Sequence, residues 1–248
     1  MAEGPELIRS ALDAGVAVES LYVSPEGDRD RVTQEVCRRA VAAGARVFAL
    51  APGVLERVAD TVTPQPVLAV LPLLAEPEAG SPAWAAGPGA LVVVLVDVRD
   101  PGNAGTVLRA ADASGAAAVV YAGESVDPYN PKTVRSSAGS VFHVPVSVRP
   151  DPFALADELA GAGFRTLATV VRGGEDYAAL DWSVPSALFL GNESAGLDPT
   201  LCAALSRAVS IPMVGRAESL NVGVAGAVVC FEAFRQRRGG GAGPRSMP

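Results

Sequence analysis

Three clusters in this chain place polar side chains where an apolar run gives way to a turn. The first is Asp97-Val98-Arg99-Asp100-Pro101-Gly102-Asn103, with Arg109 six residues beyond it. The second is Gly191-Asn192-Glu193-Ser194-Ala195-Gly196, directly after Leu190. The third is Ile211-Pro212-Met213, then Ser219-Leu220-Asn221-Val222. In open α/β sheets such polar turns at strand ends are where ligands bind. The glycine-rich turn lets backbone approach a ligand closely. It is not a phosphate loop, because no Lys-Ser/Thr pair follows Gly196. It is not a nucleophile elbow either, because Asn192 stands where Gly-x-Ser-x-Gly requires glycine. Each cluster alone also fits plainer roles. Asn103 caps a helix bearing a solvated Arg109, Glu193 sits at a helix N-terminus, and Ser219 is the N-cap of a core helix.

The elements that must position these residues are legible from periodicity. Residues 5–74 alternate helical and strand-like runs: helices over Leu7–Ala14 and Arg31–Ala43, strands over Val18–Val23, Val47–Leu50 and Val67–Leu71. Residues 75–90 are rich in Pro, Gly and Ala and read as a linker. Leu91-Val92-Val93-Val94-Leu95-Val96 is a continuous apolar run typical of a buried parallel strand. Strands over Ala118–Tyr121, Thr166–Val171 and Ala187–Leu190 and a helix over Phe153–Gly163 follow, then a helix from Asn221 to Arg238 that carries no charge before Glu232. The organisation is α/β throughout, with a small α/β unit over 1–75, a linker over 76–90, a mainly parallel α/β domain over 91–238 and a disordered tail over 239–248.

Composition sets the remaining bounds. No uncharged apolar run reaches membrane-spanning length, and the acidic N-terminus shows no secretory signal. Cys37, Cys202 and Cys230 are far apart and odd in number, which gives neither metal spacing nor a disulfide framework and suits free thiols in the cytoplasm. The net charge is −7, and neither part of the chain is basic. A nucleic-acid partner therefore requires a local basic patch, and the single lysine, Lys132, lies three residues before Arg135. The single histidine, His143, follows an apparent strand at Val141-Phe142 and reads as structural.

Taken together, the three clusters resemble, in order, spacing and residue type, the motifs of the SpoU/TrmH branch of the SPOUT RNA methyltransferases. Ser125–Gly139 and Asp60–Pro66 also resemble the family, so the likeness covers about residues 3–238. It implies a C-terminal domain with a deep trefoil knot, an N-terminal RNA substrate-binding domain, and a homodimer without a metal. It implies an S-adenosylmethionine-dependent methyltransferase acting on a ribose 2′-hydroxyl of RNA, with 23S ribosomal RNA favoured over tRNA. By the same resemblance, Arg109 is the catalytic arginine and Asn103, Glu193, Ser219 and Asn221 are its partners. Leu190, Gly191, Asn192, Ile211, Met213 and Leu220 would line the cofactor pocket, and Lys132 and Arg135 would contact RNA. Members of this architecture often start some thirty residues earlier with a basic helical segment, so that part of the RNA grip stays open at this point. A non-catalytic RNA-binding protein of the same fold stays open at this point, as does a hydrolase built on Ser194 with His143 as its base.

Overall fold

The computed structural model describes residues 1–59, 61, 63–77 and 86–239. The expected tail over 239–248 lies outside the described residues except for its first position, as does the middle of the expected linker. Two sheets organise the chain. The first is built from β1 (Ala2–Glu3), β2 (Ser20–Val23), β3 (Arg46–Ala49) and β4 (Val67–Val70), in the order β1-β4-β2-β3. Helices α1 (Pro5–Asp13) and α2 (Arg31–Ala42) cover one face, burying Leu7, Ile8, Val36 and Ala40 against Leu21, Val23 and Ala69. A short α3 (Leu55–Val58) follows β3.

The second sheet has seven parallel strands: β5 (Leu91–Val96), β6 (Ala118–Ala122), β7 (Val146–Arg149), β8 (Arg165–Thr169), β9 (Glu175–Asp176), β10 (Ser186–Leu190) and β11 (Arg207–Ser210). Their spatial order is β7-β6-β5-β10-β8-β11-β9. All six residues of β5 are buried, because helices cover both faces of the sheet. On one face α4 (Pro101–Ser114) and α8 (Val222–Gly239) pack along each other over Leu95, Leu188 and Leu190. On the other, α6 (Pro152–Gly161) and α7 (Pro199–Ala204) cover Val94, Ala187 and Phe189. The direction of strand addition reverses between β5 and β10, and that switch point is where open parallel sheets bind ligands.

Both helices that open at the site are capped by a residue other than the expected one. Asp100, followed by Pro101 in the first turn, caps α4 by accepting from the N–H of Asn103 (2.8 Å). The Asn103 side chain, inside the first turn, is thereby released from capping and bonds elsewhere. At α8, Asn221 is the cap, its Oδ1 accepting from the N–H groups of Gly223 (2.9 Å) and Val224 (3.2 Å). Ser219 lies in the preceding loop. The apparent strand before His143 is a 3₁₀ turn, Ser140–Phe142, following the left-handed Gly139; α5 (Pro131–Ser136) precedes that turn. At its far end, α8 is stapled by Arg237, which donates to the carbonyls of Gly89, Ser114 and Gly115. Arg237 is thus a structural residue, satisfying backbone acceptors at the end of α4.

Candidate functional site

The turns after β5 and β10 are tied together by one carboxylate. Glu193 accepts from the N–H of Asp100 (3.0 Å), the N–H of Arg99 (3.3 Å) and Nδ2 of Asn103 (3.1 Å). Asn221 Nδ2 in turn donates to Asn103 Oδ1 (2.8 Å), which joins the start of α8 to the same group. Asn192 braces the turn, donating to the carbonyl of Asp97 (2.8 Å) while its Oδ1 accepts from the N–H groups of Ser194 and Ala195 (3.0 Å each). Burial pushes the Glu193 carboxyl up, but the hydrogen bonds from Asn103, Asp100 and Arg99 outweigh it and hold the group below the usual carboxylate range. Glu193 is therefore an anion held by donors. Asp97, at the strand end beside it, has φ +55°, a left-handed conformation that aspartate tolerates better than most residues.

Behind this network lies a cavity of about 370 Å³. Its walls come from Leu190, Gly191 and Asn192, from Ile211 and Met213, and from Ser219, Leu220 and Val222. All six residues expected to line a cofactor pocket border this one space. Its size falls in the range of small-molecule sites. Sequence reasoning missed one wall, Thr169-Val170-Val171 after β8, and also Glu218. That wall carries no motif of its own and is set only by the adjacency of β8 to β10. Gly191 has no space for a side chain, since a Cβ there would stand 2.3 Å from the backbone of Gly196 and Leu197. The turn can close only with glycine at that position.

The remaining expected residues lie elsewhere. Arg109 is exposed on α4 and does not border the cavity of its own chain; it has no hydrogen bond or ion pair among the described residues. Lys132 is exposed on α5, 3.7 Å from Asp100. Arg135 is engaged by Glu3 of β1 at 3.5 Å, an ion pair that joins the two sheets' units. His143 is not at the site. Its Nδ1 faces Asp112 (3.2 Å) and its Nε2 faces the Ser10 hydroxyl (3.1 Å). That Ser-His-Asp order resembles a hydrolytic relay, but Ser10 lies within α1 with its Oγ only 2.2 Å from where a Cβ on Gly139 would stand. Gly139 packs closely against it, and the three side chains link α1 of the first unit to α4 and the 3₁₀ turn of the second. Ser194 has no histidine beside it, so the hydrolase reading loses its base.

Fold and site together define an α/β ligand-binding protein with its pocket at the carboxyl ends of parallel strands, beside a second small sheet unit. Residues 90–231 match the SpoU rRNA Methylase family, and residues 1–69 match the MRM3-like substrate binding domain. The chain belongs to the SpoU rRNA methylase family. It is 35% identical over 230 residues to the Bacillus subtilis (strain 168) protein named 23S rRNA (guanosine(2553)-2′-O)-methyltransferase RlmP, covering 92% of this chain and 86% of that one. The crystal structure of the SpoU methyltransferase AviRb from Streptomyces viridochromogenes superposes with a TM-score of 0.84 at 31% identity, over 96% of this chain and 90% of that one. The AdoMet-bound rRNA methyltransferase from Sinorhizobium meliloti gives a TM-score of 0.81 at 34% identity, over 94% and 86% of the two chains.

Proposed function

We propose that this protein transfers the methyl group of S-adenosylmethionine to a ribose 2′-hydroxyl of 23S ribosomal RNA. The observation that carries the reading is the Asn221–Asn103–Glu193 chain of hydrogen bonds at the mouth of a cavity sized for a small cofactor. The cavity suits S-adenosylmethionine chemically. Leu190, Ile211, Val222 and Val229 offer apolar walls to an adenine ring, and the carboxylates of Glu193 and Glu218 border the same space and complement a cationic sulfonium and ammonium. The cofactor supplies a methyl group activated by the sulfonium. The chain's own residues position the acceptor. Asn103, Ser219 and Asn221 present amides and a hydroxyl to a ribose, and ionised Glu193 fixes the turn that carries Asn103, to which Asn221 is hydrogen-bonded. Arg109 acts by charge on the developing oxyanion or the adjoining phosphate.

The same reading assigns residues 1–75 to RNA substrate binding and residues 91–238 to methyl transfer, in the cytoplasm. Among the described residues no helix is long and apolar enough to cross a membrane. We further propose a trefoil-knotted C-terminal domain and a homodimer formed along α8. Val224 and Phe231 are each 48% exposed on that helix, while Val229 and Cys230 are buried beneath it. An apolar strip of this kind on an outer helix calls for a partner. Arg109 lies one turn along α4 from Thr106, which meets α8 at Gly223, so a dimer seam along α8 brings Arg109 near a second copy. The test is methyl transfer from labelled S-adenosylmethionine to ribosomal RNA from cells lacking the protein, followed by mapping of ribose methylation. No incorporation into ribosomal RNA, with incorporation into tRNA, would move the substrate assignment.

A further inference from the structure

The N-terminal sheet has one face under α1 and α2 and another that no helix of that pair covers. On the second face four side chains form a row across all four strands. Glu3 of β1 pairs with Leu68 of β4, Leu68 with Tyr22 of β2, and Tyr22 with Phe48 of β3. Directly paired residues point to the same side of a sheet. At the inner end, Glu3 holds Arg135 of α5, and Glu3, Leu68, Pro131 and Arg135 border one small cleft. α5 begins beside the site, where Lys132 approaches Asp100. At the outer end, Phe48 is stacked on Tyr22 with ring centroids 5.2 Å apart and 17° between the planes. The guanidinium of Arg46 lies 5.9 Å from the Phe48 ring centre. Phe48 is 41% exposed, and Arg46 has no carboxylate partner among the described residues. The row thus runs from the edge of the site to an open aromatic pair about three strand spacings, or ~14 Å, away.

We propose that this face is a stacking platform for single-stranded RNA flanking the methylated nucleotide. The inference rests on the reading of the protein as an RNA methyltransferase and adds to it which part of the RNA the N-terminal unit grips and how. A base takes the guanidinium's place over Phe48, with Tyr22 backing the ring. Arg46, which no acidic side chain holds, turns to the adjoining phosphate. A base offers a flat π-face whatever its identity, so the platform reads single-strandedness and leaves sequence to the site. A protein surface would be a poorer occupant, since the exposed end of the row combines one aromatic ring with an uncompensated cation, the pairing that suits a nucleotide's base and phosphate.

The test uses the full chain and a short fluorescent oligouridylate, single-stranded or paired with its complement. The single strand binds, and Phe48→Ala weakens it roughly 5- to 150-fold, the ~1–3 kcal/mol of one base–aromatic stack. Phe48→Trp restores binding, and Arg46→Ala lowers the slope of log affinity against log salt by about 0.7. Affinity for S-adenosylmethionine, read by calorimetry, stays that of the unmutated chain in all three variants, which shows that they fold. Equal binding by Phe48→Ala, failure of Phe48→Trp to restore it, or preference for the duplex would overturn the platform. So would a change of molecular mass in solution on Phe48→Ala, which would make the face a contact between copies. A chain that binds the single strand through Phe48 but methylates no RNA would refute the enzymatic reading and leave the platform standing.

Discussion

Replacing Glu193 by glutamine tests whether one carboxylate holds the two turns of the site together. The substitution keeps the side chain's size and removes its charge. Oε1 now accepts from Asp100 N–H (3.0 Å) and Asn103 Nδ2 (3.1 Å), and Oε2 accepts from Arg99 N–H at 3.3 Å. A glutamine can turn its oxygen toward the first pair, but its amide nitrogen then faces the Arg99 N–H, donor against donor. Two bonds weaken from charged to neutral, a loss of ~1 kcal/mol each, and a third, longer one disappears. Glu193 is exposed at the surface, so solvent screening reduces the sum to about 1–1.5 kcal/mol. For a chain of this length that is a fall of about 2–6 °C in the unfolding midpoint at neutral pH.

The sign of the pH dependence is fixed by the direction of the shift. Glu193 has a folded-state pKa below its ordinary value, so its stabilisation is complete above the unfolded value and is lost as pH falls through the folded one. Glutamine binds no proton, and the other carboxylates are common to both proteins. The gap between wild type and Glu193→Gln should be constant near neutrality and should shrink as the solution is acidified below the ordinary carboxylate range. Thermal unfolding followed by circular dichroism at neutral and acid pH reads both quantities. Equal midpoints at neutral pH, or a gap that widens on acidification, would refute the account of this carboxylate. Asn103→Ala shares the Oε1 bond, so the double variant should lose less than the two single losses added together.

Arg109→Ala should abolish methyl transfer with S-adenosylmethionine affinity unchanged, and Arg109→Lys should keep weak activity; single-turnover rates showing lysine as fast as arginine would sink the electrostatic role. Phe231→Asp should give a folded monomer by light scattering, whereas Val229→Asp should destabilise the chain outright, because Val229 is only 1% exposed. Gly226→Ala should gain helix propensity yet lower cofactor affinity, since its Cβ would meet Leu190 Cδ1 at 2.9 Å and push that side chain toward the cavity. Calorimetry with S-adenosylmethionine checks this, and unchanged affinity would mean that Leu190 yields in another direction.

How far the sequence could be read varied with the kind of physics involved. β5 was delimited residue for residue, because six apolar residues in a row suit a strand buried on both faces and the polar turn after it is unambiguous. The lining of the cavity was legible through motif resemblance, but its third wall was not, because nothing local to Thr169-Val170-Val171 says that β8 lies next to β10. The caps were misassigned for a subtler reason. Asp100 and Asn103 are both good capping residues within one turn, and so are Ser219 and Asn221. At α4 the deciding feature was Pro101, whose missing N–H and fixed φ favour the first turn and so place the cap one residue before it. The pairing of Arg135 with Glu3 across the two units, at 3.5 Å, is visible only in the tertiary structure, because the two residues lie far apart in sequence. α8 looked uniformly apolar; the structure divides it into Val229 and Cys230 within the core and Val224 and Phe231 outside.

That division bears on how an acidic chain could hold a polyanion. The net charge of −7 is a sum over the whole surface, and charges farther apart than about 8 Å are largely screened at physiological ionic strength. What a phosphate meets is local. Arg9, Arg38 and Arg39 are paired with carboxylates of their own unit. Arg46, Arg99 and Arg109 are exposed with no carboxylate partner among the described residues. One lies on the outer sheet face, one in the turn at the mouth of the cavity, and one on α4. A grip made by these three alone makes few phosphate contacts, and base stacking and fit at the cavity then carry more of the affinity. Selectivity would follow from the same economy, because weak long-range attraction leaves little binding to RNA that does not fill the site.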